Sequence, residues 1–291
     1  MRLAFLGSPE PAVVALRALV AAGHEVAVVV TQPDRKRGRG SSLSPSPVKA
    51  AAVELGLPVV HQVDEALPFA AELGVVVAFG KLIKPHVLAQ LPMVNVHFSL
   101  LPRWRGAAPV ERAILAGDTT TGVCLMQLDE GLDTGAVYAC EEVEIGPDES
   151  AADLMARLAE LGARLLVDRL ATGLGEAVAQ AGEPTYAAKL EASDFELHFD
   201  RPAPELARVV RLGRAWTTFR GKRLRVLRAT AVDDGPAPSR LAGLVAGAGA
   251  GTGLALVEVQ PEGKAPMPAD AWARGAQPTA ADLLGPAPTH R

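Results

Sequence analysis

Hydrophobic and polar positions in the first half of the chain follow two patterns in turn. Short runs rich in Val, Leu and Ala fall at residues 2–7, 25–30, 58–60, 74–78 and 94–97. They are bounded by turn residues and lack strict alternation, which predicts strands covered on both faces. Helical spacing occupies 11–22, 47–55 and 85–91, each opening on a proline, which suits a first turn; Gly23 and Gly56 stop the first two. Strands alternating with helices predict a parallel α/β sheet of Rossmann-like type. Such sheets bind ligands at the carboxyl ends of their strands.

Further along, 109–116 reads as a helix, and strands at 122–128 and 136–144 flank a loop holding Asp133. Residues 150–170 form a long amphipathic pattern with Ser150 as N-cap. From 173 to about 200 there is no clean periodicity, and Gly175, Gly182 and Pro184 interrupt it. The pattern then changes to a helix at 202–212 and strands at 223–229, 241–245 and 253–259, a small β domain. Arg223-Leu224-Arg225-Val226 alternates; Arg228 breaks the phase, so the strand is expected to end or bulge near Leu227. The expected organisation is 1–178 as one α/β domain, 179–200 as linker and 201–291 as the β domain, with a partly disordered tail after about 277.

Apolar residues make up 49% of the chain and aromatics only 4%, so the cores must be built from Ala, Val and Leu. Cys124 and Cys140 stand in no metal-ligand or redox spacing, and no disulfide framework is expected. The run 1–7 is too short for a secretory leader, and no apolar run approaches the roughly 20 residues of a membrane span; a reducing cytoplasm is the expected setting. The net charge of −4 divides into −6 over 1–190 and +2 over 191–291. Two segments are strongly basic. Arg35, Lys36, Arg37, Arg39 and Lys49 surround Asp34, and nine bases between 201 and 228 face Glu205 alone. Local basic patches of this kind suit phosphate better than the total charge suggests.

Candidate chemistry centres on Asn95 and His97. Two residues apart on a strand, they point to one face. There an amide can hold a developing oxyanion while an imidazole moves a proton. Asp133, between Gly131 and Gly135, supplies a carboxylate that could orient His97 and raise its pKa. The other histidines, His24, His61, His86, His198 and His290, have no matching amide or carboxylate motif and read as surface or structural residues. The first loop, Gly7-Ser8-Pro9-Glu10-Pro11, lacks the glycines of a dinucleotide fingerprint, and the glycine-rich stretch 247–253 reads as a turn.

A lone Asn or His at a strand end is usually structural, but the surroundings are specific. Ser99-Leu100-Leu101-Pro102, Arg103-Trp104-Arg105-Gly106-Ala107-Ala108-Pro109, Gly131-Leu132-Asp133-Thr134-Gly135 and Thr185-Tyr186-Ala187-Ala188-Lys189-Leu190 resemble the 10-formyltetrahydrofolate-dependent formyltransferase family, and within it the branch acting on methionyl-tRNA. The resemblance implies a Rossmann-like catalytic domain followed by a small OB-like β-barrel that binds tRNA. It implies formyl transfer from 10-formyltetrahydrofolate to methionine on initiator methionyl-tRNA, without metal, membrane or protein partner. Asn95, His97 and Asp133 would be catalytic, and Ser99, Leu100, Leu101 and Pro102 would help form the folate pocket. Phe98 stands where many relatives have a small residue. In that branch the loop holding Arg35, Lys36, Arg37 and Arg39, followed by Lys49, wedges against the acceptor end of the tRNA, and Arg39 matches its key arginine. Arg208, Arg211, Arg223 and Arg225 are further candidates for RNA. Lys264, within Gln260-Pro261-Glu262-Gly263-Lys264, takes an RNA or a structural role.

Glycinamide ribonucleotide or aminosugar formylation would keep the same three residues with another acceptor. Formyltetrahydrofolate hydrolysis would need no acceptor. A non-catalytic RNA-binding protein on an enzyme scaffold fits less well, because all three residue types are present.

Overall fold

A computed structural model of the chain describes residues 1–36, 43–279 and 281–285. It divides into two units. The first comprises Met1–Val110, Thr120–Glu144 and Leu154–Lys189. Its sheet has seven strands: β1 (Arg2–Gly7), β2 (Glu25–Val30), β3 (Val59–Val60), β4 (Leu73–Val77), β5 (Met93–His97), β6 (Thr120–Gln127) and β7 (Val137–Glu144), in the order β7-β6-β5-β4-β1-β2-β3. The strands β1 to β5 pair in parallel. The strands β6 and β7 extend the sheet antiparallel. The loop joining them is too short for the crossover that parallel pairing needs.

Beyond Arg2 and Glu25 at their starts, β1, β2, β4 and β5 are buried throughout, as a sheet covered on both faces requires. One side packs Ala4, Leu6, Val28, Val30, Val76 and Met93 with Phe79, Val87 and Leu91. The helix Glu10–Ala21 has Pro11 in its first turn and buries Ala12, Val13, Ala15, Leu16 and Leu19, one stripe at helical spacing. In Pro47–Glu54 the Ser46 hydroxyl accepts from the Lys49 N–H at 3.0 Å, an N-cap. Ser150 caps Ala151–Thr172 in the same way, accepting from Asp153 N–H at 3.2 Å.

Two expectations change here. Cys124 and Cys140 form a disulfide. They are directly opposite each other on β6 and β7, with Cα atoms 4.1 Å apart, a proximity set by strand register that spacing alone does not reveal. The segment expected as linker, 179–200, is divided: Tyr186–Ala187 pairs in parallel with Arg105–Gly106, which ties its first part into the first unit.

The second unit comprises Glu111–Thr119, Ile145–Asp153 and Leu190–Arg291. Its antiparallel sheet runs Trp216–Phe219, Lys222–Val232, Gly253–Pro261, Val245–Gly247 and Leu241–Ala242, with Met267–Pro268 beside Gly253–Pro261. The expected strand over 241–245 is instead a tight hairpin of two short strands turning at Gly243, whose φ of +60° suits glycine. Lys222–Val232 runs on through Leu227, and the irregularity expected at Arg228 is a bulge there.

The strand Trp216–Phe219 and the helix Ala269–Ala276 were not foreseen. Nor was the role of the tail. Leu284 N–H donates to Ser239 and Gly285 N–H to Thr218, and Leu283 bridges Arg240, so this segment links the edge strand Trp216–Phe219 to the residues just before Leu241–Ala242 and closes the sheet into a barrel. Leu284 is fully buried, in one core with Leu206, Val226, Leu254, Val259 and Trp272. Trp272 meets Phe219 edge-on at 5.1 Å between ring centroids. Among the described residues no helix is long and apolar enough to cross a membrane.

Candidate active site

β5 delivers Asn95 and His97 to one face at its carboxyl end, both nearly buried at 8% and 5% exposure. The imidazole has a defined tautomer. Its Nε2 lies 2.9 Å from the Trp104 carbonyl oxygen, which can only accept, so Nε2 carries the proton. The other nitrogen, Nδ1, faces the Asp133 carboxylate at 3.7 Å. That is wider than a hydrogen bond but close enough for strong attraction once Nδ1 is protonated.

Local backbone geometry makes this arrangement possible. Trp104 has φ +62°, turning its carbonyl towards His97, and its N–H donates to the Thr185 hydroxyl at 2.9 Å. Asp133 also has a left-handed φ, +51°, a conformation that aspartate enters more readily than most residues and that its hydrogen bonds here support. One restraint is the Gly106 N–H, which donates to Asp133 Oδ2 at 2.8 Å. Gly106 must be glycine: its φ is +121°, and a Cβ would lie 2.8 Å from the Ala187 carbonyl oxygen. Gly135 is equally constrained, since a Cβ there would fall 1.8 Å from the Gln127 carbonyl oxygen.

The direction of the His97 pKa is the reverse of the expectation. Burial pushes it below the ordinary value, and the upward pull of Asp133 and the Trp104 carbonyl is smaller. At neutral pH His97 is therefore a neutral base with its lone pair on Nδ1. It becomes a cation only when a proton arrives, and Asp133 then stabilises it.

The loop after β5 continues the site. Ser99 is fully buried and its hydroxyl donates to the Arg103 carbonyl at 2.6 Å, so its side chain braces the turn. Leu100, Leu101 and Pro102 are half-buried, and the Leu101–Pro102 peptide is cis. A cavity of about 440 Å³ opens nearby, at the ends of β1, β2 and β4, lined by Ser8, Gln32, Arg35, Ser46 and Phe79 among others. Behind its wall the fully buried Thr31 hydroxyl contacts those of two lining residues, Ser46 at 2.7 Å and Ser8 at 3.3 Å, a buried cluster that sequence reasoning missed.

The basic residues fall into separate groups. In the first unit, Arg35 is exposed, while Lys49 forms a half-buried ion pair with Asp34 at 2.7 Å. Lys36 belongs to a two-residue strand paired with Leu43–Ser44, and Arg37 and Arg39 lie outside the described residues. In the second unit Arg208 and Arg211 line a cavity of about 670 Å³. Arg211 is already engaged, donating to the Glu149 and Gly146 carbonyls. Arg223 and Lys264 line another cavity, of about 350 Å³, and the Arg223 guanidinium stacks on Trp216 at 4.3 Å. Arg225 donates to Gln260 Oε1 and the Gly213 carbonyl. Among the described residues no group of His, Cys, Asp or Glu is placed to hold a metal ion.

Comparison with known proteins identifies the family. Residues 1–170 match the family model described as formyl transferase, and 189–277 match that of the formyl transferase C-terminal domain. A methionyl-tRNA formyltransferase of Roseobacter denitrificans is 49% identical over 255 residues, covering 82% of this chain and 83% of its own. One from Cereibacter sphaeroides is 43% identical over 294 residues, covering 94% and 96%. Among solved structures, an N-formyltransferase from Helicobacter canadensis, in complex with folinic acid and dTDP-3-aminofucose, superposes with a TM-score of 0.68 at 17% identity. It covers 89% of this chain and 98% of that one, a likeness of fold.

Proposed function

The chain belongs to the formyl transferase family, and from that premise we infer that it transfers the formyl group of 10-formyltetrahydrofolate to the α-amino group of methionine on initiator methionyl-tRNA. The observation that carries the chemistry is buried His97, sharing a strand face with buried Asn95, with the half-buried Asp133 carboxylate 3.7 Å from its Nδ1. The acceptor rests on the relatives, which are methionyl-tRNA formyltransferases matched over most of both chains.

The co-substrate supplies the formyl group; the protein does the rest. The half-buried Leu100, Leu101 and Pro102 wall would hold the folate ring system. Asn95 donates to the oxygen that gains negative charge as the amine attacks, a preorganised amide in a dry site. His97 Nδ1, unprotonated at rest, takes the proton that the amine sheds and delivers it, directly or through water, to the departing folate nitrogen. The Trp104 carbonyl keeps the ring oriented throughout. Asp133 stabilises the transient imidazolium. No step calls on a metal.

The RNA is proposed to meet basic residues on both units: Arg35, Lys36, Arg37, Arg39 and Lys49 on the first, and Arg208, Arg211, Arg223, Arg225 and Lys264 on the second. Arg223 stacked on Trp216 offers a cationic plane to an unpaired base. A cytoplasmic setting is part of the same proposal. A reducing compartment would keep Cys124 and Cys140 as adjacent thiols.

The test is incubation with 10-formyltetrahydrofolate and charged initiator methionyl-tRNA, following formylmethionine on the RNA together with folate turnover. Formylated RNA that disappears in Asn95→Ala supports acceptor and site together. Folate turnover without formylated RNA would replace the acceptor by an aminosugar, a ribonucleotide amine or water.

A further inference from the structure

Asp133 sits in the left-handed region, and one side chain that no motif singled out bonds its loop there. Gln180 lies in an irregular segment of the first unit, beside the two-way backbone bridge between Val137 and Val178. Its Nε2 donates to the Asp133 carbonyl at 2.8 Å and to the Gly135 carbonyl at 2.9 Å. Its Oε1 accepts from Arg105 Nε at 3.0 Å and Nη2 at 2.7 Å. Both donors and both acceptor positions of the amide are thus used. The reverse orientation would set oxygen against two carbonyls and N–H against a guanidinium, so the network fixes which atom is which.

Arg105 is anchored in turn, its N–H donating to the Thr185 carbonyl at 2.9 Å, and the next residue is Gly106, whose N–H holds the Asp133 carboxylate. The Asp133 loop is therefore gripped by its side chain through Gly106 and by its backbone through Gln180, both from the 105–106 strap.

We propose that Gln180 is a positioning residue for the reaction: it clamps the Asp133 backbone so that the carboxylate stays within reach of His97. This rests on the function proposed above and goes beyond it. Gln180 touches no reacting atom and acts only through Asp133. Loss of the clamp leaves a left-handed Asp133 held on one side only, and the loop relaxes away from the imidazole. Small displacements of a group at 3.7 Å matter, because the attraction falls as the carboxylate recedes and water enters.

The experiment uses Gln180→Met, which keeps the length of the side chain and removes all four hydrogen bonds. Turnover should fall about 10- to 100-fold, short of the loss for a group in contact with the substrate, with KM for both substrates within about threefold. The acid limb of the pH profile should move to lower pH, since Asp133 raises the His97 pKa. In an Asp133→Asn background, adding Gln180→Met should cost less than threefold more, because the two act through one group. Independent losses that multiply would overturn the proposal, as would unchanged turnover and limb.

A reading free of turnover is the His97 imidazole titration by NMR, which should move down in Gln180→Met. If wild-type protein makes no formylmethionine, the proposed function fails, and this titration still decides the clamp. Should Gln180→Met not fold, Arg105→Lys carries the same tests: it keeps the charge and loses the fork that holds Oε1.

Discussion

Asp133→Asn isolates the charge that His97 meets. The substitution keeps the side chain's shape and an oxygen to accept from Gly106 N–H, so the loop should hold. What disappears is attraction between a carboxylate and an imidazolium 3.7 Å apart. That attraction is about 1 kcal/mol with bulk-water screening and about 4.5 kcal/mol at an effective dielectric of about 20. At about 1.4 kcal/mol per decade, the limits are roughly 6-fold and 2000-fold in rate. Burial of His97 to 5% exposure favours the upper part of that range, and we expect a loss of about 10²–10³.

Because His97 is neutral at rest and charged only as the proton moves, the loss should fall on kcat and leave both KM values nearly unchanged. The pH profile carries a sign. The active form is the neutral base, so rate rises as pH passes the His97 pKa. Asp133 raises that pKa; its removal should shift the acid limb to lower pH while the plateau falls. Steady-state kinetics with saturating folate and RNA, between about pH 5 and 9, measures both. A loss under threefold, or a limb moving to higher pH, would refute the coupling.

Asn95→Ala should lower kcat by about 10²–10³, the size of one oxyanion donor, with folate binding by fluorescence quenching nearly unaltered; an equal loss of folate affinity would make Asn95 a binding residue instead. Arg39→Ala should raise KM for the RNA while leaving folate binding intact, as parallel titrations would show, and equal losses would end the loop's assignment to RNA. Leu284→Ala removes a fully buried side chain and should cost about 2–5 kcal/mol. In a unit of this size that lowers the second unit's melting temperature by roughly 10 °C or more, read by calorimetry; a shift below about 3 °C would mean the tail does not secure the barrel.

Much of the fold was legible because its strands are short, valine-rich and punctuated by Gly or Pro, and its helices open on proline. Asn95, His97 and Asp133 were legible because their residue types and the motifs around them are specific. Other features depend on quantities that no local pattern holds. The disulfide depends on which residue of β7 opposes Cys124, a matter of register. The His97 pKa depends on how far burial outweighs a carboxylate, and spacing counts charges without their desolvation. Gln180 hides in a stretch without periodicity; the Val137–Val178 bridge and the parallel pairing of Tyr186–Ala187 with Arg105–Gly106 bring it to Asp133. The arginines of the second unit were countable, but not the carbonyls that already occupy Arg211. Trp216–Phe219 was missed because it is four residues long and half of it faces outward.

The closure of the barrel by Leu283 and Leu284 orders events during synthesis. Every segment of the first unit has been made once the ribosome has passed Lys189. The second unit draws on 111–119 and 145–153 early, yet both edges of its sheet wait for residues almost a hundred positions further on. Of the two units proposed to meet the RNA, the second is thus the last to be finished. A nascent chain can assemble its chemical centre while the outer edges of Trp216–Phe219 and Leu241–Ala242 remain open to other strands.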